Sequence, residues 1–385
     1  MNIRLSPLLI SSLLCSFAAQ AEIDVIYGDD NRREVFESSP ELQTLARSAA
    51  TMIGTDKMST KDGLISIEQK PFGDMFKMKD PASGKAITAC ADMKYTEQPN
   101  AGMCSGFLIA PDILMTAGHC VSLENFCENF KWVFDFKIDE STGKAGLDVK
   151  ASDIYSCKKV VSNSLNMRIG LDYGLVLLDR RVEGRAPLKL RHEKSISVGE
   201  EILVIGSPSG LPLKVADGAS VRAINNPFFF TANLDTFSGN SGSAVFNAKT
   251  GIVEGILVRG EDDFAPNKEL MCIEAKKCKN DECRGEDVSR VTSAPEISVQ
   301  RMFNLAAERG DVETIKQVLS LKTWVDFSNE KGETALMKAV QGNNIEVVKL
   351  LVAAGADPKR EDAEGVSSLM IAEKASLEEI IKIFK

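Results

Sequence analysis

A histidine in Thr116-Ala117-Gly118-His119-Cys120, an aspartate in Asp172-Tyr173-Gly174-Leu175 and a serine in Gly239-Asn240-Ser241-Gly242-Ser243 follow one another along the chain. A serine hydroxyl is a weak nucleophile at neutral pH and needs a base to take its proton. His119 suits that task, and Asp172, at the head of an apolar run, is placed to orient and stabilise the imidazolium. The sequence holds two histidines, and the rival base, His192 in Leu190-Arg191-His192-Glu193-Lys194, reads as a solvated loop residue. Asp153 and Asp179 lack the Asp-x-Gly-Leu context of Asp172. A developing oxyanion needs two donors held in advance. The glycine two residues before Ser241 lets the chain turn the Gly239 and Ser241 N–H groups inward, worth about 3 to 4 kcal/mol each in sites of this kind. This chemistry requires no metal and no organic cofactor.

These residues need rigid elements to carry them. From 87 to about 260, short apolar or alternating runs are separated by turn residues. Ser105-Gly106-Phe107-Leu108-Ile109, Lys131-Trp132-Val133-Phe134 and Glu201-Ile202-Leu203-Val204-Ile205 are three of them. Many short strands at this spacing indicate an antiparallel sandwich or barrel. Residues 22–86 are polar and weakly periodic, apart from a short helix expected over 40–47; they read as a propeptide or an extension of the first barrel. Residues 266–298 read as a polar, cysteine-containing connector.

At 385 residues the chain is long enough for two or three domains, and its hydrophobic content of 44% and charge of 26% are those of a globular protein. A net charge of -9 argues against nucleic acid or an anionic membrane as partner. The first 21 residues read as a secretory signal: Arg4, an apolar stretch too short for a membrane span, and Ala19-Gln20-Ala21 as the cleavage site. Leu14 is bulky where a lipoprotein signal before Cys15 wants a small residue. With no later membrane-length run, the expected product is exported, either periplasmic or secreted. Of nine cysteines, all but Cys15 follow the signal. An even set of eight in an exported chain reads as disulfides; the alternative, a zinc site from Cys272, Cys278 and Cys283, lacks the paired CxxC spacing.

The His, Asp and Ser blocks, in that order, resemble the trypsin/chymotrypsin superfamily over roughly residues 87–265. The resemblance implies an all-β double barrel with the site in the cleft between barrels, and hydrolysis of protein or peptide substrates through an acyl-enzyme. It also implies a disulfide between Cys104 and Cys120. One position departs from animal trypsins: Asn240 stands before the serine where they carry the Asp that pairs with a freed N-terminus. Asn there resembles the bacterial glutamyl-endopeptidase branch, as does Val25-Ile26-Tyr27-Gly28-Asp29-Asp30-Asn31-Arg32 at the mature start. Activation through an amine paired to an Asp before the serine is therefore not expected.

The resemblance leaves two pocket chemistries open. Asp235, six residues before Ser241, matches the pocket-floor position that selects Arg or Lys. Thr236 and Arg259 match positions at which an acidic side chain would be held, although Ile256-Leu257-Val258 lacks the histidine that the glutamyl branch uses. A catalytically silent binding protein is the rival reading of the whole.

From about 299 the period becomes helical and repeats. Gly332-Glu333-Thr334-Ala335-Leu336-Met337 recurs 33 residues on as Gly365-Val366-Ser367-Ser368-Leu369-Met370. An earlier copy runs through Leu305-Ala306-Ala307-Glu308-Arg309-Gly310. A 33-residue helix-turn-helix period resembles ankyrin repeats, about three here with the last truncated. Such a stack either binds a protein on its concave face or packs on the barrel.

Overall fold

The computed structural model describes residues 25–61, 64–81, 83–146, 148–192 and 194–385. The expected signal at 1–21 lies outside the described residues. Among those described, no helix is long and apolar enough to cross a membrane.

The chain begins with two short strands, β1 (Ile26–Tyr27) and β2 (Arg32–Glu34). Helix α1 (Pro40–Ala46) follows; Ser39 caps it by accepting the Leu42 N–H, and Pro40 occupies the first turn, where no N–H is needed. Six strands then close an antiparallel barrel: β3 (Ala49–Gly54), β4 (Gly102–Ala110), β5 (Ile113–Thr116), β6 (Phe130–Phe134), β7 (Ile154–Asn166) and β8 (Leu171–Leu178). Their order around the ring is β4-β5-β8-β7-β6-β3. Met52, Phe107, Leu114, Trp132 and Leu175 fill it. A helical turn, α2 (Gly118–Val121), leaves the end of β5.

The second ring uses β9 (Glu201–Gly206), β10 (Lys214–Ala223), β11 (Phe229–Ala232), β12 (Ala244–Asn247) and β13 (Val253–Arg259). After β14 (Lys277–Cys278), which pairs in parallel with β1, it is completed by β15 (Glu286–Arg290). The order is β9-β12-β13-β15-β11-β10, with β9 pairing β10 to close six strands and β2 added outside on β10. Val204, Val221, Phe230, Leu257 and Val288 form its core. The protein thus has two closed six-stranded barrels.

Residues on both sides of 87–265 contribute to the barrels. β3 lies within 22–86 yet pairs on both sides, with β4 and β6, so that segment supplies a barrel stave. β15 lies beyond 265, within the expected connector, and pairs with both β11 and β13. The last domain starts before 299, with α3 (Pro295–Arg309). The cysteines pair as Cys90–Cys272, Cys104–Cys120, Cys127–Cys157 and Cys278–Cys283, so Cys272, Cys278 and Cys283 do not share one site.

The C-terminal helices continue as α4 (Val312–Ser320), α5 (Ala335–Gln341), α6 (Ile345–Ala353), α7 (Ser368–Lys374) and α8 (Glu378–Ile383). The 33-residue period is visible atom by atom. Asn329 Oδ1 accepts from the Lys331 and Glu333 N–H groups, and Asp362 Oδ1 from those of Glu364 and Val366. Thr334 then caps α5, and Ser367 caps α7, each accepting from the third residue on. The stack is seated on the first barrel: Ile297 and Phe327 share its core with Ile109 and Leu188, and Arg181 donates to the Ala363 carbonyl.

Candidate active site

β5 ends at Thr116, and the α2 turn presents His119 beside β8, whose second residue is Asp172. Asp172 is 1% exposed, and both of its oxygens are used. Oδ1 accepts the Gly118 N–H at 2.6 Å and the His119 N–H at 3.1 Å; Oδ2 lies 2.8 Å from His119 Nδ1. With the His119 Nδ1–H donated to Asp172 Oδ2, the basic lone pair of the ring sits on Nε2.

The serine turn leads into β12, on the other barrel, and is interlocked with the first. Ser105 on β4 donates its N–H to the Ser241 carbonyl at 2.8 Å, and Cys120, the residue after His119, has its sulfur 3.7 Å from the same oxygen. Gly242 has a φ of +89°, and a Cβ there would stand 2.0 Å from the Ser105 carbonyl oxygen. The Cys104–Cys120 bridge ties the histidine turn to β4. His119, Asp172 and Ser241 are thereby carried on segments that meet at the junction of the barrels.

The loop that precedes Ser241 is held from several sides. Gly239 has a φ of +94°, and a Cβ would lie 2.8 Å from Gly210 N and 2.9 Å from Ser207 O, so only glycine fits. Ser105 Oγ donates to the Gly239 carbonyl at 3.0 Å and accepts the Ser207 N–H at 3.0 Å. The Ser238 N–H, one residue earlier, meets both oxygens of Asp263 at 3.2 and 3.0 Å. Asn240 is buried and accepts from Ser243 Oγ at 3.2 Å.

The three expected pocket residues are not gathered together. Asp235 turns toward the N-terminal strands, accepting the Tyr27 N–H at 2.7 Å and the Asn31 N–H at 2.8 Å. Burial lifts its pKa to about 6 against those donors. Arg259 neither neutralises Asp235 nor stands ready for an acid: its Nε donates to Asp287 Oδ2 at 2.8 Å, and its guanidinium lies over Phe229. Thr236 is buried, and its hydroxyl donates to Glu286 Oε2 at 3.3 Å. Glu286, Asp287 and Asp263 escaped the sequence reading because they lie in the polar stretch after β13; a lone acid in a charged segment carries no signal of burial.

A family profile described as trypsin-like peptidase domain matches residues 104–256, and one for ankyrin repeats (three copies) matches 303–385. The Notch-regulated ankyrin repeat-containing protein of Homo sapiens is 34% identical over 93 residues, 23% of this chain and 80% of that protein. A Danio rerio counterpart is 35% identical over 86 residues, covering 21% and 77%. Among solved structures, a Glu endopeptidase in complex with MPD aligns at a TM-score of 0.37 and 18% identity, over 70% of this chain and 95% of that one. The active form of an M. tuberculosis protease aligns at 0.37 and 16%, over 77% and 92%. The chain carries a trypsin-like peptidase domain. Through residues 303–385 it belongs among the ankyrin-repeat proteins.

Proposed function

We propose that the chain is an exported serine endopeptidase that cleaves protein or peptide substrates through an acyl-enzyme on Ser241. The observation that carries this reading is the Asp172 carboxylate bound to His119 Nδ1 at 2.8 Å, on a turn whose next residue lies against the Ser241 carbonyl. His119 Nε2 takes the Ser241 proton as Oγ bonds to the scissile carbonyl carbon. The resulting oxyanion is received by the Gly239 and Ser241 N–H groups. His119 returns the proton to the leaving amine as the C–N bond breaks, and water repeats the cycle to free the acid.

Cleavage after Arg or Lys remains the preferred specificity. Asp235, the acid expected at the pocket floor, is committed to the Tyr27 and Asn31 main-chain donors. Engagement of Arg259 by Asp287 argues against an acidic-residue pocket. Export to the periplasm or beyond is supported by the leader pattern and by the pairing of all eight remaining cysteines. The ankyrin stack is a surface for a protein partner.

The test is fluorophosphonate labelling of the purified chain with a Ser241→Ala control, followed by cleavage-site mapping on a peptide library. Labelling at Ser241 and cuts absent from the control support the reading. A folded, disulfide-bonded protein that neither labels nor cuts is the silent binding protein instead.

A further inference from the structure

The N-terminal strands are bound more tightly than a removable leader requires. Val25, Ile26 and Tyr27 are buried. The Thr236 N–H donates to the Val25 carbonyl at 3.4 Å, and the Ile26 and Gly28 N–H groups donate to Lys276 and Cys278. Arg32 is held by Asp30 at 2.7 Å, and its guanidinium stacks 3.9 Å from the centre of the Phe237 ring. Further along, Glu34 meets Lys214 at 3.1 Å in a buried ion pair, where β2 pairs with β10. Every residue from Asp235 to Phe237 thus has a partner between Val25 and Arg32. The stretch that follows is the donor loop and Ser241.

At the centre of this seam stands Asp235. A pocket-floor carboxylate would present its oxygens to a substrate cation. Here Oδ1 and Oδ2 each receive a main-chain N–H from the N-terminal stretch. Charge-assisted bonds of this kind are the stronger ones, and removing the acceptor leaves two N–H groups without it. We propose that Asp235 is a positioning residue and that Val25 to Glu34 is a permanent strap of the working peptidase. By clamping the strap to the loop ending in Ser241, Asp235 sets the Gly239 and Ser241 donors for a substrate of any side chain. This rests on the serine-peptidase reading. It replaces the ordering role of a freed N-terminal amine with internal backbone donors, so no cut at Val25 is needed for activity.

The experiment compares the full chain with Asp235→Ala and Asp235→Asn. The readouts are fluorophosphonate labelling rate and kcat and KM on peptides differing only in the residue before the scissile bond. Wild-type labelling at Ser241 is the control for the serine-peptidase reading itself. The expected result for Asp235→Ala is a fall of at least about tenfold in labelling and in kcat for Arg, Glu and Leu peptides alike, because small misplacements of a site are costly. KM changes little, and Asp235→Asn, which keeps one acceptor, falls between. A loss confined to Arg and Lys peptides, with labelling unchanged, overturns the proposal and restores Asp235 to the pocket floor. Unchanged kinetics throughout also overturn it. Hydrogen exchange on the wild-type chain is independent of how the variants fold. The Tyr27 and Asn31 amides are expected to be protected as strongly as the Ser105 amide that binds the Ser241 carbonyl, and fast exchange at either overturns the strap.

Discussion

Arg360, between α6 and α7, donates to Asp112 Oδ1 at 2.7 Å, a contact that spans 248 positions of sequence. Asp112 sits in the turn between β4 and β5, the hairpin that leads to His119. Both side chains are largely buried, at 10% and 18% exposure, and the Arg360 guanidinium lies 4.9 Å from the centre of the Trp324 ring. Removing one member leaves the other charge unanswered. Arg360→Ala is expected to cost about 1 to 3 kcal/mol, with Asp112→Ala similar and the double variant less than their sum. Urea unfolding of the four chains measures the coupling, and additive losses would show that the pair contributes nothing.

Phe327 enters the first-barrel core although it belongs to the repeat stack, and it is 7% exposed. Phe327→Ala should therefore destabilise the barrel, by about 3 kcal/mol. The melting temperature should drop while short-peptide turnover per folded molecule stays near wild type. A variant that melts normally would mean that the stack rests on the barrel without sharing its core.

Asp172→Asn tests the orienting role directly. Asparagine retains an acceptor for the Gly118 and His119 N–H groups but favours the wrong imidazole tautomer. Turnover should fall on the order of 10³-fold or more at neutral pH, with folding intact. Activity within tenfold of wild type would remove His119 as the base.

The Asp235 pKa of about 6 makes a prediction in pH. Burial raises it above the unfolded value of 3.8, with Asp30 adding to the rise and the Tyr27 and Asn31 N–H groups and Arg32 opposing it. The folded state therefore binds more protons than the unfolded one between these values. The stabilisation is complete below about pH 4 and is lost as pH rises through 6, amounting to about 3 kcal/mol at most by linkage. Relative to Asp235→Asn, the wild type should lose stability across that window; parallel denaturation profiles would contradict the shift.

Much of the site was legible because its chemistry demands rare residues in rigid contexts. A chain with two histidines offers few bases, and glycines around Ser241 mark a strained turn. The strands flanking these blocks announced themselves through apolar runs. Two staves did not. Ala49–Gly54 is short, small and without alternation, although every residue in it is buried. Glu286–Arg290 is mostly polar and equally buried, because Asp287 answers both Arg259 and Arg284 while Glu286 receives Thr236. Hydropathy registers each side chain alone, and burial by pairing depends on a partner tens of residues away. The same limit explains Asp235, whose distance from Ser241 matched a pocket floor while its oxygens faced Tyr27 and Asn31.

The Cys90–Cys272 bridge encloses 182 positions of sequence, and His119, Asp172 and Ser241 all fall inside that span. The three residues are therefore beads on one covalent ring. A peptidase at high local concentration meets its own exposed loops, and a single nick within the ring opens it without setting any fragment adrift. A single cut inside the ring releases no fragment on a non-reducing gel and shows two only once the thiols are freed. One break inside the ring thus leaves both new ends on the same covalent molecule until the bridge is reduced.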